Sequence, residues 1–137
     1  MKFGRVVLAV VAIIFVPFGV WGLIDPVAVA GLTQVQLPTP TALADGRAVY
    51  GGLTLGLGAF FALCAVRQEL VRPGLWAVLL TVAGPFLGRL AGVVADGAGT
   101  AETYRTLISE FAIAALAVVS LARRVSGRTS RTTSSAA

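Results

Sequence analysis

Residues 45–61 read DGRAVYGGLTLGLGAFF, and the reading of this stretch decides the fold. It opens on charge, Asp45 and Arg47, and passes directly into apolar, glycine-rich sequence. In a water-soluble helix, each of Gly51, Gly52, Gly56 and Gly58 would cost roughly 1 kcal/mol relative to alanine. A bilayer changes the balance. The helix is held because its backbone must satisfy its own hydrogen bonds, and small residues let neighbouring helices approach closely. The stretch therefore reads as the outer half of a transmembrane helix with a polar site at its mouth.

Composition agrees. The chain has 137 residues, of which 57% are hydrophobic and 12% charged, and its mean hydropathy is +0.90. Four apolar runs, at about 6–24, 46–66, 75–95 and 104–121, are each long enough to cross ~30 Å of hydrocarbon at about 1.5 Å per residue. They predict an all-α fold, an antiparallel bundle of four transmembrane helices over residues 1–122, followed by a disordered basic tail at 123–137. The net charge is +5 and the pI near 10.7. On a soluble protein that balance would suggest nucleic acid. Here the positive charges sit in short loops and termini, where they act as topology signals, so no nucleic-acid partner is expected. A single cysteine and no histidine exclude an intrachain disulfide and sites built on histidine, and no metal or cofactor is expected. Cys64 lies in an apolar run and reads as a small packing residue.

Along the chain, Lys2 and Arg5 precede the first apolar run. Ala28-Val29-Ala30 resembles a leader-cleavage site. The run nevertheless exceeds the usual ~7–15-residue leader core, and Asp25-Pro26 separates it from that site, so it reads as a first helix kinked at Pro17. Trp21 fits an interfacial belt. The segment 25–44 is a polar loop with Pro26, Pro38 and Pro40, able to fold over the bundle mouth, and Thr41 or Asp45 is the expected cap of the second helix. Pro85 is expected to kink the third helix. Gly84, Gly88 and Gly92 recur every four residues along it, a smooth stripe suited to packing within the bundle or to dimerisation.

Orientation follows from counting. Lys2, Arg5, Arg67, Arg72, Arg123, Arg124, Arg128 and Arg131 make eight on one side, against two, Arg47 and Arg105, on the other. Both termini are therefore expected in the cytoplasm, in a multi-pass protein of a bacterial inner (plasma) membrane.

Arg89 and Glu110 fall inside the third and fourth apolar runs, where an unpaired charge facing lipid is costly. Both lie roughly 9 Å below the same outer surface by residue count, on helices joined by a short turn, so they are expected to pair. In α-helical geometry Arg47, Tyr50, Gly51, Thr54 and Gly58 share one face of the second helix. Asp45, Arg47, Tyr50, Thr54, Arg89, Asp96 and Glu110 are thus the candidates for either a ligand site or a buried network that fixes register. Gly51, Gly52, Gly56, Gly84, Gly88 and Gly92 are the candidates for helix packing.

The pattern Arg47-x-x-Tyr50-Gly51-Gly52, then Gly88-Arg89 followed by Asp96-Gly97, then an acid in the last helix, resembles a family of small bacterial four-helix membrane proteins catalogued as a domain of unknown function. Gly22-Leu23-Ile24-Asp25-Pro26, which closes the first helix, is similar to it as well. The resemblance covers about 6–122. It implies the four-helix fold and a site formed by Arg47, Tyr50, Arg89, Asp96 and Glu110, and it supplies no activity, substrate or cofactor.

Three functions stay open on these residues. One is binding of a lipid or small amphipathic molecule in an outer-half cavity, with arginines on a carboxylate or phosphate. The second is an accessory subunit, packed through its glycine faces as a homo-oligomer or in a larger membrane complex. The third is a membrane enzyme, the least supported, since there is no histidine and no nucleophile beside a base; no catalytic residue is assigned. Channel function is disfavoured by the apolar cytoplasmic half of every helix.

Overall fold

Each apolar run folds as a helix, and each helix pairs with the next in sequence. A computed structural model describes residues 2–97 and 99–132, with side chains as far as Arg123. Helix α1 spans Lys2–Ile24, α2 Pro26–Gly31, α3 Pro40–Gly46, α4 Thr54–Val66, α5 Val71–Asp96 and α6 Ala101–Thr132. A π-helical segment, Arg47–Leu53, joins α3 to α4, and a 3₁₀ turn, Gln68–Leu70, leads into α5. Four stretches, Lys2–Ile24, Pro40–Val66, Gln68–Asp96 and Ala101–Arg123, are long and apolar enough to cross a membrane. No strand occurs among the described residues.

The helix ends are set by local chemistry. Thr39, not Thr41 or Asp45, caps α3: its hydroxyl accepts from the Ala42 amide at 3.1 Å, and Pro40 takes the first helical position, where no amide donor is needed. The expected loop 25–44 contains α2, capped by the Asp25 carboxylate on the Ala28 amide at 3.0 Å. It closes with Gln34 in the left-handed region, φ 61°. The Val35 amide returns to the Ala30 carbonyl at 3.0 Å and the Gln34 amide to Gly31 at 3.1 Å, which satisfies carbonyls the helix end leaves bare. Gly97, φ 69°, ends α5 in the same way. The expected end of the last helix at Leu121 gives way to a helix that runs on to Thr132. No proline interrupts the sequence there. The remainder of the expected tail, 133–137, lies outside the described residues.

The chain makes two antiparallel hairpins. In the first, α1 lies against α4 and the π segment, with glycine on both sides of the contact. A Cβ at Gly19 would stand 2.5 Å from the Leu55 amide nitrogen, one at Gly22 2.4 Å from the Tyr50 carbonyl oxygen, and one at Gly58 2.8 Å from a Val16 methyl. The backbones touch because those side chains are missing, and close backbone approach is the association mode available where lipid removes the hydrophobic drive. Arginines clamp both ends of this hairpin. Arg5 Nε donates to the Ala65 carbonyl at 2.7 Å, and Arg47 Nε donates to the Leu23 carbonyl at 3.3 Å. Each cation meets the last turn of the opposite helix, where unpaired carbonyls and the negative end of the dipole favour it.

The second hairpin is α5 with α6. It joins the first only near the termini, through a buried core of Leu8, Val11, Phe61, Cys64, Leu75, Val78, Val82 and Ala117. Phe15 and Phe61 meet edge to face at 5.5 Å. Gly74 admits Cys64 and Leu8, and Arg123 lies over the Phe3 ring at 4.9 Å, a cation–π contact between the first and last helices. Past Val82 no described residue of α5 is buried, and none of α6 is buried before Ala117. The first hairpin stays closed along its length, with Gly19, Gly22 and Gly51 buried. The two hairpins therefore part at the end opposite the termini.

Candidate functional site

Where the hairpins part, a cleft of about 400 Å³ opens. Arg89, Gly92, Val93 and Asp96 of α5 form one wall, and Thr100, Glu102, Thr103 and Thr106 at the start of α6 form another. Tyr50 enters from the π segment, while Thr33 and Val35, beside the strained Gln34, reach it from the connection after α2. The expected folding of the 25–44 segment over the bundle mouth thus takes a definite form.

Arg89 and Glu110 pair across α5 and α6, Arg89 Nη1 on Glu110 Oε1. Phe86 and Phe111, at 6.4 Å, pack nearby on the same two helices. The arginine side chain is 32% exposed and the glutamate 14%, so the guanidinium opens to the cleft while the carboxylate lies behind it. Glu110 Oε2 is buried and has no hydrogen-bond partner.

Asp96 is the last residue of α5, and Gly92 beneath it leaves room for its carboxylate: a Cβ on Gly92 would lie 3.9 Å from Asp96 Oδ2. Thr100 caps α6, accepting from the Thr103 amide at 3.3 Å with its hydroxyl 3.2 Å from that of Thr103. Thr106 is held inside its helix by a bond to the Glu102 carbonyl at 2.9 Å. Glu102 pairs with Arg105, 2.5 Å away on the outer face of α6. Among the described residues no group of three His, Cys, Asp or Glu side chains is arranged to hold a metal ion.

Of the sequence candidates, the structure brings Tyr50, Arg89 and Asp96 to the cleft, with Glu110 one layer behind. Arg47 turns instead to the Leu23 carbonyl, Asp45 is exposed outside the cleft, and the Thr54 hydroxyl donates to the Val49 carbonyl at 3.0 Å. The reason is the π segment. Its hydrogen-bonded rings each take in one more residue than an α turn, so the spacing that put Arg47, Tyr50 and Thr54 on one face does not hold between 47 and 53. The helix-packing candidates divide too. Gly51 meets Leu23 of α1, Gly92 lines the cleft, and Gly52, Gly56, Gly84 and Gly88 have no such close neighbour. Helical spacing puts Thr103 and Thr106 on the face of the last helix that carries Glu110, and both do line the cleft, whereas Thr33, Thr100 and Glu102 were not expected there. Thr100, a capping residue just before the apolar run of α6, is the helix-start signal that pointed to part of this group.

The family described as Domain of unknown function (DUF4345) matches residues 3–121. No curated protein and no solved structure matches the chain.

Proposed function

Taking as premise that the chain belongs to the DUF4345 family, whose function is unknown, we propose that it is a multi-pass membrane protein that holds the polar head of a lipid or small amphipathic molecule in the cleft between its hairpins. The carrying observation is the cleft itself. A chain with spans this apolar gathers Tyr50, Arg89, Asp96 and four threonines around one opening of about 400 Å³, within the ~300–1,000 Å³ range of small-molecule sites. The basic-residue count supports an outward-facing mouth. Val35 and Val93 add apolar surface to the lining of the cleft. Arg89, backed by Glu110, stands in one wall of the cavity, and the threonine hydroxyls supply donors and acceptors.

Native mass spectrometry from nanodiscs tests the reading. The wild-type chain retains a defined molecule. Gly92→Leu, which fills the cleft, loses it, and Arg47→Ala, which removes a helix clamp outside the cleft, keeps it. Equal, non-selective lipid retention by all three chains would remove the cleft from consideration.

The second reading, a subunit that docks on another membrane helix, has its own support: Gly84 and Gly88 have nothing within 4 Å, a bare face of the kind that pairs helices. Concentration-dependent association lost in Gly84→Leu would favour it.

A further inference from the structure

The sequence pointed to an anionic head held by two arginines, and the charges that surround the cleft argue for the opposite sign. Arg47 is spent on the Leu23 carbonyl, and Arg89, the cation that remains in the wall, already faces Glu110. The wall ions are Arg89, Asp96 and Glu102. With the partners Glu110 and Arg105 included, two cations stand against three carboxylates, a local balance of −1 in a chain of net charge +5. An anion entering here meets a net negative field.

Asp96 carries the unbalanced charge. Glu102 has Arg105 and Glu110 has Arg89, whereas no ion pair or hydrogen bond joins Asp96 to any described residue. Its position is locally unfavourable as well. It ends α5, where the helix dipole is negative and favours a base over an acid. The Gly97 amide beside it is engaged with the Val93 carbonyl at 3.1 Å. Asp96 is exposed at the cleft, and an acid set against the dipole with no counter-ion among the described residues is a small local conflict of the kind that functional sites retain. The same cleft is lined by Thr33, Thr100 and Thr103, whose hydroxyls can accept, and by Tyr50, whose π face attracts a cation.

We infer that the cleft selects an organic ammonium head, with Asp96 as its counter-ion and Tyr50 and the threonine hydroxyls completing the shell. The inference rests on the amphipathic-ligand reading above and fixes its head group. An ammonium of this kind reaches the site either on a membrane lipid or as a free amine from the aqueous side, and the two are separable.

The test uses the full chain in nanodiscs and three probes with one tail: dodecylammonium, dodecanol and dodecyl phosphate, with bound molecules counted by native mass spectrometry. The wild type is expected to retain the ammonium at least tenfold over the phosphate. Asp96→Asn is expected to bring that ratio below twofold while dodecanol retention stays unchanged, which shows that the cleft is still folded. Asp45→Asn, an exposed acid outside the cleft, keeps the wild-type ratio. Preference for the phosphate, or a ratio indifferent to Asp96→Asn, overturns the ammonium assignment and leaves the cleft standing if Gly92→Leu still abolishes retention. Loss of all three probes from the wild type overturns both. Displacement of dodecylammonium by butylammonium identifies a free amine as sufficient; no displacement assigns the head to a lipid-borne molecule.

Discussion

Replacing Gly22 with alanine tests how the first hairpin is held. The new Cβ would stand 2.4 Å from the Tyr50 carbonyl oxygen and 2.5 Å from its carbon, where side-chain carbons essentially never come closer than 3.0 Å to anything, so α1 and the π segment must separate by about 0.6 Å or more. The obstacle is backbone, which no rotamer change relieves. Forced repacking of this kind costs ~1–3 kcal/mol. Alanine also favours the helix over glycine by about 1 kcal/mol, and that gain must be removed before the packing cost can be read. Gly56→Ala supplies the control, since nothing lies within 4 Å of its added methyl. The propensity gain is shared by both variants and largely cancels in their difference. Gly22→Ala should therefore be less stable than Gly56→Ala by ~1–3 kcal/mol, with Gly56→Ala at or above wild type. Unfolding in mixed micelles, followed by far-ultraviolet circular dichroism against increasing sodium dodecyl sulfate, measures both. Equal stability of the two variants would refute the close-packed hairpin.

Glu110→Gln should destabilise the protein, toward the lower end of the ~3–5 kcal/mol seen on breaking a buried pair, because Arg89 is about one-third exposed and water softens the loss. Arg89→Met with Glu110→Met should be milder than either single change, and a double-mutant cycle without coupling would sink the pairing. For orientation, in a Cys64→Ala background Thr41→Cys, exposed at the end opposite the termini, should react with an impermeant maleimide on intact cells. Gln68→Cys should react only after permeabilisation, and the reverse pattern would invert the topology.

The spans were legible because hydrophobic runs of bilayer length need little else to specify them, and the Arg89–Glu110 pair because equal depth and opposite charge on consecutive helices leave few alternatives. The glycines were legible as a class but not one by one. Gly51 and Gly84 look alike in sequence, yet one meets Leu23 and the other meets nothing, and only the direction of each helix face separates them. Gly19, Gly22 and Gly74, which do pack, were not among the packing candidates because isolated glycines have no periodic signature. Arg47 was read as a ligand group because its competing partner, a main-chain carbonyl of α1, has no mark in the sequence. The threonines of the cleft come from segments distant along the chain, 33 and 100–106, and only the parting of the hairpins brings them together.

The π segment has a consequence for chain length. Over Arg47–Leu53 the helix accommodates extra residue per turn, so everything before it is rotated relative to α4 by an angle set by how many residues the segment contains. Removing one residue there and restoring α geometry would leave the two ends close to their present phase, because a π turn holds one residue more than an α turn. Forcing α geometry with the count unchanged would instead swing α3 and the preceding connection by about 100°, carrying Thr33 and Val35 away from the cleft while Gly58 kept its seat on α1. Between 47 and 53 residue count and helix type are matched, and a chain of the same length wound as α-helix there would be expected to keep the bundle and lose the site.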